Sequence, residues 1–193
     1  ALHNGLFMAT IYSIPVSIAG WLFAGKFIPF FINDINATPL TVEYSSIIFL
    51  GLLFSAYSFV FQGFYTGIEK TRAHLSVTVT SNIINVYLNA GLIYGSEGIK
   101  NFFHETIPTL SFLTPLWQWT EFPELGVKGA AIATLIASIW MTLHYTLYLF
   151  IKPIRKNFAV FKMSVDLGMM KRQLKLALPQ GLQEMVISIG WSV

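Results

Sequence analysis

The 193-residue sequence is 54% hydrophobic and 16% aromatic, and only 11% of its residues are charged. Because soluble domains average about 25% charged residues, this composition excludes an ordinary soluble domain and indicates an integral membrane protein in a lipid bilayer. Cysteine is absent, which excludes disulfides and thiolate metal sites. The net charge of +3 gives no reason to expect a nucleic-acid partner.

Long apolar runs dominate the chain, and a helix needs about 20 apolar residues to cross the hydrocarbon core. They predict four membrane spans and the start of a fifth, at about 5–32, 44–68, 75–95, 129–151 and 176–193. The connection at 96–128 is rich in aromatic residues and proline, so we predict a cap that lies on the membrane surface. Both chain ends fall close to or inside apolar runs, and we expect the sequence to be an internal piece of a longer protein.

Charge predicts the orientation of these spans. Of twelve Lys and Arg residues, all but Lys26, Lys100 and Lys128 fall on one side of the membrane. Because cytoplasmic loops are enriched in Lys and Arg, that side is predicted to be the cytoplasm. The basic segment at 153–175 is then a cytoplasmic linker, and the connection at 96–128 is external.

A polar stripe runs along the third predicted span. Thr78, Asn82, Asn85 and Asn89 recur with helical spacing and would share one face of a helix that is otherwise apolar. Unpaired amides are costly in hydrocarbon, so the stripe must face other helices or a wet cavity. Two interpretations remain open: interhelical packing, to which such residues contribute about 0.6–2 kcal/mol, or a site for ions and substrates at membrane depth.

Motifs for nucleotide hydrolysis, metalloprotease chemistry or serine hydrolase chemistry do not occur in the sequence. The interiors of the apolar runs hold two notable ionisable side chains, His144 and Glu184. We therefore predict no enzyme activity, no catalytic residues and no metal centre. Glu184 is interpreted either as a hydrated carboxylate at the membrane surface or as a coupling residue.

Four segments resemble the multidrug and toxic compound extrusion (MATE) family. They are similar to the end of its fourth helix, to its fifth helix and to the starts of its sixth and seventh helices: Phe61–Arg72 (FQGFYTGIEKTR), Asn82–Gly95, Leu125–Thr134 (LGVKGAAIAT) and Leu176–Gly181 (LALPQG). The resemblance implies an all-α, polytopic fold with two lobes and twelve helices. Residues 1–152 would belong to the amino-terminal six-helix lobe, 153–175 to the inter-lobe linker and 176–193 to the start of the carboxy-terminal lobe.

The resemblance also implies a function, namely export of organic cations or drugs across a cell membrane, such as a prokaryotic inner membrane, in exchange for sodium ions or protons. The full-length protein would be a monomer that needs no other cofactor. In family members with an ion site in the amino-terminal lobe, a carboxylate on helix one joins a polar pair and a Thr, and Asn85, Asn89 and Thr134 occupy the matching positions. Asn82 and Glu184 are further candidates for substrate binding or coupling.

The sequence departs from the family pattern at three places. Family members often have Asp where Asn89 stands, and some have Glu where Ile187 stands, so Glu184 is off the pattern. They usually have a short turn in place of 96–124. Two alternatives stay open: a flippase for lipid-linked oligosaccharides, which would usually line its cavity with Arg or Lys, and a membrane scaffold that transports nothing.

Overall fold

The computed structural model describes residues 2–32, 34–151, 154–155, 158 and 165–191, and this part of the chain is all-α. Much of the predicted linker and the last two residues lie outside the described residues. Within these ranges, the α-helices whose bounds are defined are numbered in chain order: α1 Leu2–Phe27, α2 Ala37–Gly67, α3 Thr71–Glu105, α4 Pro115–Gln118, α5 Gly126–Leu149 and α6 Leu167–Trp191. Short 3-10 turns lie at Ile28–Phe30 and Pro108–Leu113, and Ile154, Arg155 and Phe158 are also helical.

Three described helices are long and apolar enough to cross a membrane: α1 with its 3-10 turn (Leu2–Phe30), α2 and α5. They contain the predicted spans at 44–68 and 129–151 almost entirely and most of the one at 5–32. The span predicted at 75–95 lies in α3, whose asparagines lower its mean hydropathy below that of the other three. Its crossing of the membrane, like that of α6, stays a prediction.

Two helices extend past the boundaries predicted for the spans and for the linker. The span predicted to begin at Tyr44 lies in a helix that begins at Ala37, because Asp34 Oδ1 accepts the backbone N–H groups of Asn36 (2.7 Å) and Ala37 (2.9 Å). These hydrogen bonds, chiefly the one from Ala37, hold the pKa of Asp34 below its usual value. At the other end of the chain, α6 runs without interruption across the predicted linker boundary at 175/176.

The long helices pack in the order α1, α2, α5, α3. Small residues allow close approach: a Cβ on Gly51 of α2 would lie 3.1 Å from Leu135 of α5, and one on Gly129 would lie 2.1 Å from the Leu92 carbonyl oxygen of α3. At the start of α2 and α5, Glu43 and Lys128 form an ion pair (3.4 Å). The two helices therefore run parallel, and α3 runs antiparallel to both.

The connection after α3 folds back onto its helix. Gly95 interrupts α3 in a left-handed conformation (φ 68°), and helical structure then continues to Glu105, inside the segment predicted as a surface cap. Trp117 Nε1 donates to the Tyr87 carbonyl oxygen (2.8 Å), and Ser96 Oγ donates to the Trp117 carbonyl oxygen (2.7 Å). Trp117 is thus buried against α3, whereas Trp119 is 93% exposed.

Candidate functional site

The polar stripe lies beside the contact between α3 and α5. Ser81 Oγ of α3 donates to the Ala137 carbonyl oxygen of α5 (3.0 Å), and the Leu92 backbone sits directly against Gly129. Val77, Ser81 and Leu92 are buried on this face. These contacts fix the rotation of α3, and they place the asparagines on the flank of the interface.

The structure brings Asn85 and Asn89 together. Both side chains are half-buried, and Asn89 Nδ2 donates to Asn85 Oδ1 at 2.8 Å. This hydrogen bond joins two turns of one helix, as the i, i+4 spacing predicts. It leaves two side-chain groups for a third partner: Asn89 Oδ1, an acceptor, and Asn85 Nδ2, a donor. This hydrogen bond therefore does not hold two helices together. It leaves polar atoms of the stripe at the flank of the interface.

Thr134 lies on α5, the helix that packs against α3. Interpolation between the Leu92–Gly129 and Ser81–Ala137 contacts places it level with Asn85. Its hydroxyl donates to the Ala130 carbonyl oxygen (2.9 Å), so its lone pairs remain available to another group. Thr134 is thus level with Asn85 and one turn from Asn89, and the three side chains offer only neutral oxygens as ligand atoms.

The two remaining candidates lie apart from this group. Asn82 is exposed, further round α3 from α5. Glu184 is exposed on α6, which packs on α1 at the opposite end of the row of helices. There the Asn4 side chain exchanges two hydrogen bonds, each 3.1 Å long, with the backbone of Asp166. Within the described residues, Glu184 is not brought to the asparagine pair.

Sequence reasoning missed a polar cluster at the opposite end of α3. His74 Nδ1 and the Tyr145 hydroxyl are hydrogen-bonded (2.5 Å), and Thr78 Oγ1 lies 3.4 Å from the same nitrogen. Tyr65 of α2 is fully buried and donates to the Tyr145 carbonyl oxygen at 2.8 Å. The available signal was the i, i+4 spacing of His74 and Thr78, which continues the stripe by one turn.

Among the described residues, no three His, Asp or Glu side chains form a group that could hold a metal ion. His144, the ionisable residue predicted within the fourth span, accepts or donates one hydrogen bond to Thr80 of α3 (3.0 Å). It lies on the flank of the α3–α5 interface away from Asn85 and Asn89. The group of Asn85, Asn89 and Thr134 therefore remains the candidate site in the apolar part of the protein.

Comparisons with a family model and with known proteins point to the same family. The family model MatE matches residues 1–90. The probable multidrug resistance protein NorM of Bacillus thuringiensis subsp. konkukian is 31% identical over 145 residues, which cover 74% of this chain and 27% of that protein. The chain belongs to the MATE family. The corresponding NorM protein of Thermotoga maritima is 26% identical over 151 residues, covering 77% of this chain.

Membership of the MATE family confirms the resemblance, and the described helices agree with its all-α membrane fold. The chain spans about a quarter of the length of these NorM relatives, since the matched part covers 27% of the proteins from Thermotoga maritima and Bacillus thuringiensis. No solved structure matches the chain significantly.

Proposed function

We propose that this MATE chain is part of a secondary multidrug efflux antiporter, which exports organic cations or drugs in exchange for sodium ions or protons. The observation that carries the proposal is the half-buried Asn85–Asn89 pair, level with Thr134, on the flank of two apolar helices. The family supports it, because the matched relatives are named as probable multidrug resistance proteins. The transporter would work as a monomer in a cell membrane, such as a prokaryotic inner membrane.

The coupling site would be built on these three residues. Amide and hydroxyl oxygens suit a small hard cation, but neutral ligands alone hold one weakly in competition with water. We therefore infer that a carboxylate from a helix outside the 193 residues joins Asn85, Asn89 and Thr134. It would carry the proton or complete the sodium shell, so that ion binding and drug binding favour different protein conformations and exclude each other.

The flippase alternative is disfavoured by the described helices. A pyrophosphate headgroup calls for Arg or Lys inside the membrane, and α2 and the part of α3 from Ala73 to Ile99 contain neither. The scaffold alternative would use the polar stripe for packing, yet the hydrogen bond between Asn85 and Asn89 lies within one helix. Both alternatives lead to different results in a transport assay.

The function is tested with the intact transporter in inside-out membrane vesicles. The measurement is the uptake of ethidium, a fluorescent organic cation, into these vesicles. We expect ethidium to accumulate when a sodium or proton gradient is imposed and to leak out when the gradient is collapsed. Vesicles from cells without the protein provide the control. If ethidium uptake does not depend on the gradient and a labelled lipid-linked oligosaccharide is moved across the membrane, the protein is a flippase. If neither substrate is moved, the scaffold alternative stands.

The orientation can be tested separately with single cysteines, since the chain has none of its own. Trp119→Cys and Arg172→Cys replace exposed side chains at the two predicted membrane surfaces. The distribution of Lys and Arg predicts that an impermeant maleimide labels the first in intact cells and the second only after permeabilisation. The reverse pattern would show that the chain is inverted in the membrane.

A further inference from the structure

A cavity of about 530 Å³ opens beside the turn that joins α2 to α3. One wall is charged and the other is apolar or aromatic: Glu69, Lys70 and Arg72 on the first, Tyr148, Ile151 and Ile154 on the second. Neither wall belongs to the candidate coupling site. A ligand that fits both walls must have an anionic end and a hydrophobic body.

The turn that carries the charged wall is held in a fixed shape. Glu69 adopts a left-handed conformation (φ 60°), and the Lys70 N–H donates to the Tyr65 carbonyl oxygen at 2.8 Å. Just beyond the turn, Ala73 packs into a buried cluster with Tyr65, Leu149 and Ile154. The positions of Lys70 and Arg72 are thus set by the core rather than by a loose loop.

Within the described residues, Lys70, Arg72 and the Tyr148 hydroxyl form no ion pair or side-chain hydrogen bond. The ion pairs seen within the described residues are Lys100–Glu97 and Lys128–Glu43, and neither involves Lys70 or Arg72. In the same part of the chain, the half-buried Tyr148 has no hydrogen-bond partner for its hydroxyl. With the opposing charge of Glu69 counted, the wall carries a net charge of +1, which favours a monoanion.

The cavity lies where two candidate membrane spans end. Both α2 and α5 are candidate spans, and both end beside it, at Gly67 and Leu149. Basic pockets between helices at this depth recognise the headgroups of anionic lipids, and tyrosine is favoured at the same level. We propose that the cavity binds one anionic phospholipid, with its phosphate between Lys70, Arg72 and the Tyr148 hydroxyl and its chains along Ile151 and Ile154.

The test uses the purified protein in a neutral detergent and measures the dissociation constants of dioctanoyl phosphatidylglycerol, dioctanoyl phosphatidylcholine and inorganic phosphate. We expect phosphatidylglycerol to bind at least tenfold more tightly than phosphatidylcholine. Each cation removed should weaken binding about fivefold, so Lys70→Gln with Arg72→Gln should weaken it about 25-fold. Tyr148→Phe should also weaken phosphatidylglycerol binding, because it removes one hydrogen bond to the phosphate.

Lys171→Gln with Arg172→Gln is the matched control, because it removes two exposed cations from α6 that do not line the cavity. A change below twofold there supports the proposal. Equal binding of the two lipids, or an equal loss in the control pair, would overturn it. Inorganic phosphate that binds as tightly as the lipid would overturn the lipid as the ligand, leaving a free anion site. If the variant with both Lys70→Gln and Arg72→Gln does not fold, each substitution is measured alone, and each is expected to weaken phosphatidylglycerol binding about fivefold.

Discussion

Alanine at Asn85 and Asn89 is expected to abolish the ion dependence of efflux while leaving the protein folded. Each substitution removes one side-chain oxygen from the proposed ion site, and we expect ion-stimulated ethidium transport to fall about tenfold or more, as a loss of about 1.4 kcal/mol in ion binding would produce. The two residues bond to each other within α3, so the lost hydrogen bond is worth only about 0.2–0.5 kcal/mol of stability. The higher helix propensity of alanine offsets that loss.

The measurement combines transport per folded molecule with the melting temperature in detergent. Asn101→Ala is the matched control, because Asn101 is an exposed asparagine of the same helix beyond the break at Gly95. It should leave both quantities unchanged. Lower melting temperatures with normal ion dependence in the Asn85 and Asn89 variants would refute the coupling role, and packing would then account for the stripe.

Gly129→Ala is expected to destabilise the protein by about 1–3 kcal/mol, although alanine is the better helix former. A Cβ at this position would lie 2.1 Å from the Leu92 carbonyl oxygen and 2.5 Å from the carbonyl carbon. Both atoms are backbone, so α3 and α5 must move apart to relieve the overlap. The shift would also move Thr134 away from Asn85, and we expect ion-dependent efflux to fall in the protein that remains folded.

Gly63→Ala on α2 isolates the clash from the change in helix propensity. Gly63 is also helical, and a Cβ there would meet nothing within 4 Å. Both variants receive the same gain in propensity, so the difference between their melting temperatures reports the contact with Leu92. A Gly129 variant as stable as the Gly63 variant would show that the two helices do not approach as closely as described.

Local geometry explains why part of the site was predictable. Helical periodicity depends on the backbone alone, so the spacing of Asn85 and Asn89 was enough to predict that they share a face one turn apart. In the structure these two side chains are hydrogen-bonded to each other. The role of Asn85, Asn89 and Thr134 in ion coupling stays a proposal, because it depends on a carboxylate and an ion that these residues do not reveal.

The sequence alone determined the membrane class, the helical fold and the MATE family, because composition and local motifs carry that information. Only the tertiary structure decided that Trp117 is buried under Tyr87, that His74 bonds Tyr145 across 71 positions of sequence, and that Thr134 stands level with Asn85. These features depend on how far α3 and α5 slide and rotate against each other. That arrangement is set by backbone contact at Gly129 and by the docked connection, and such contacts between distant residues leave no periodic signal in a single sequence.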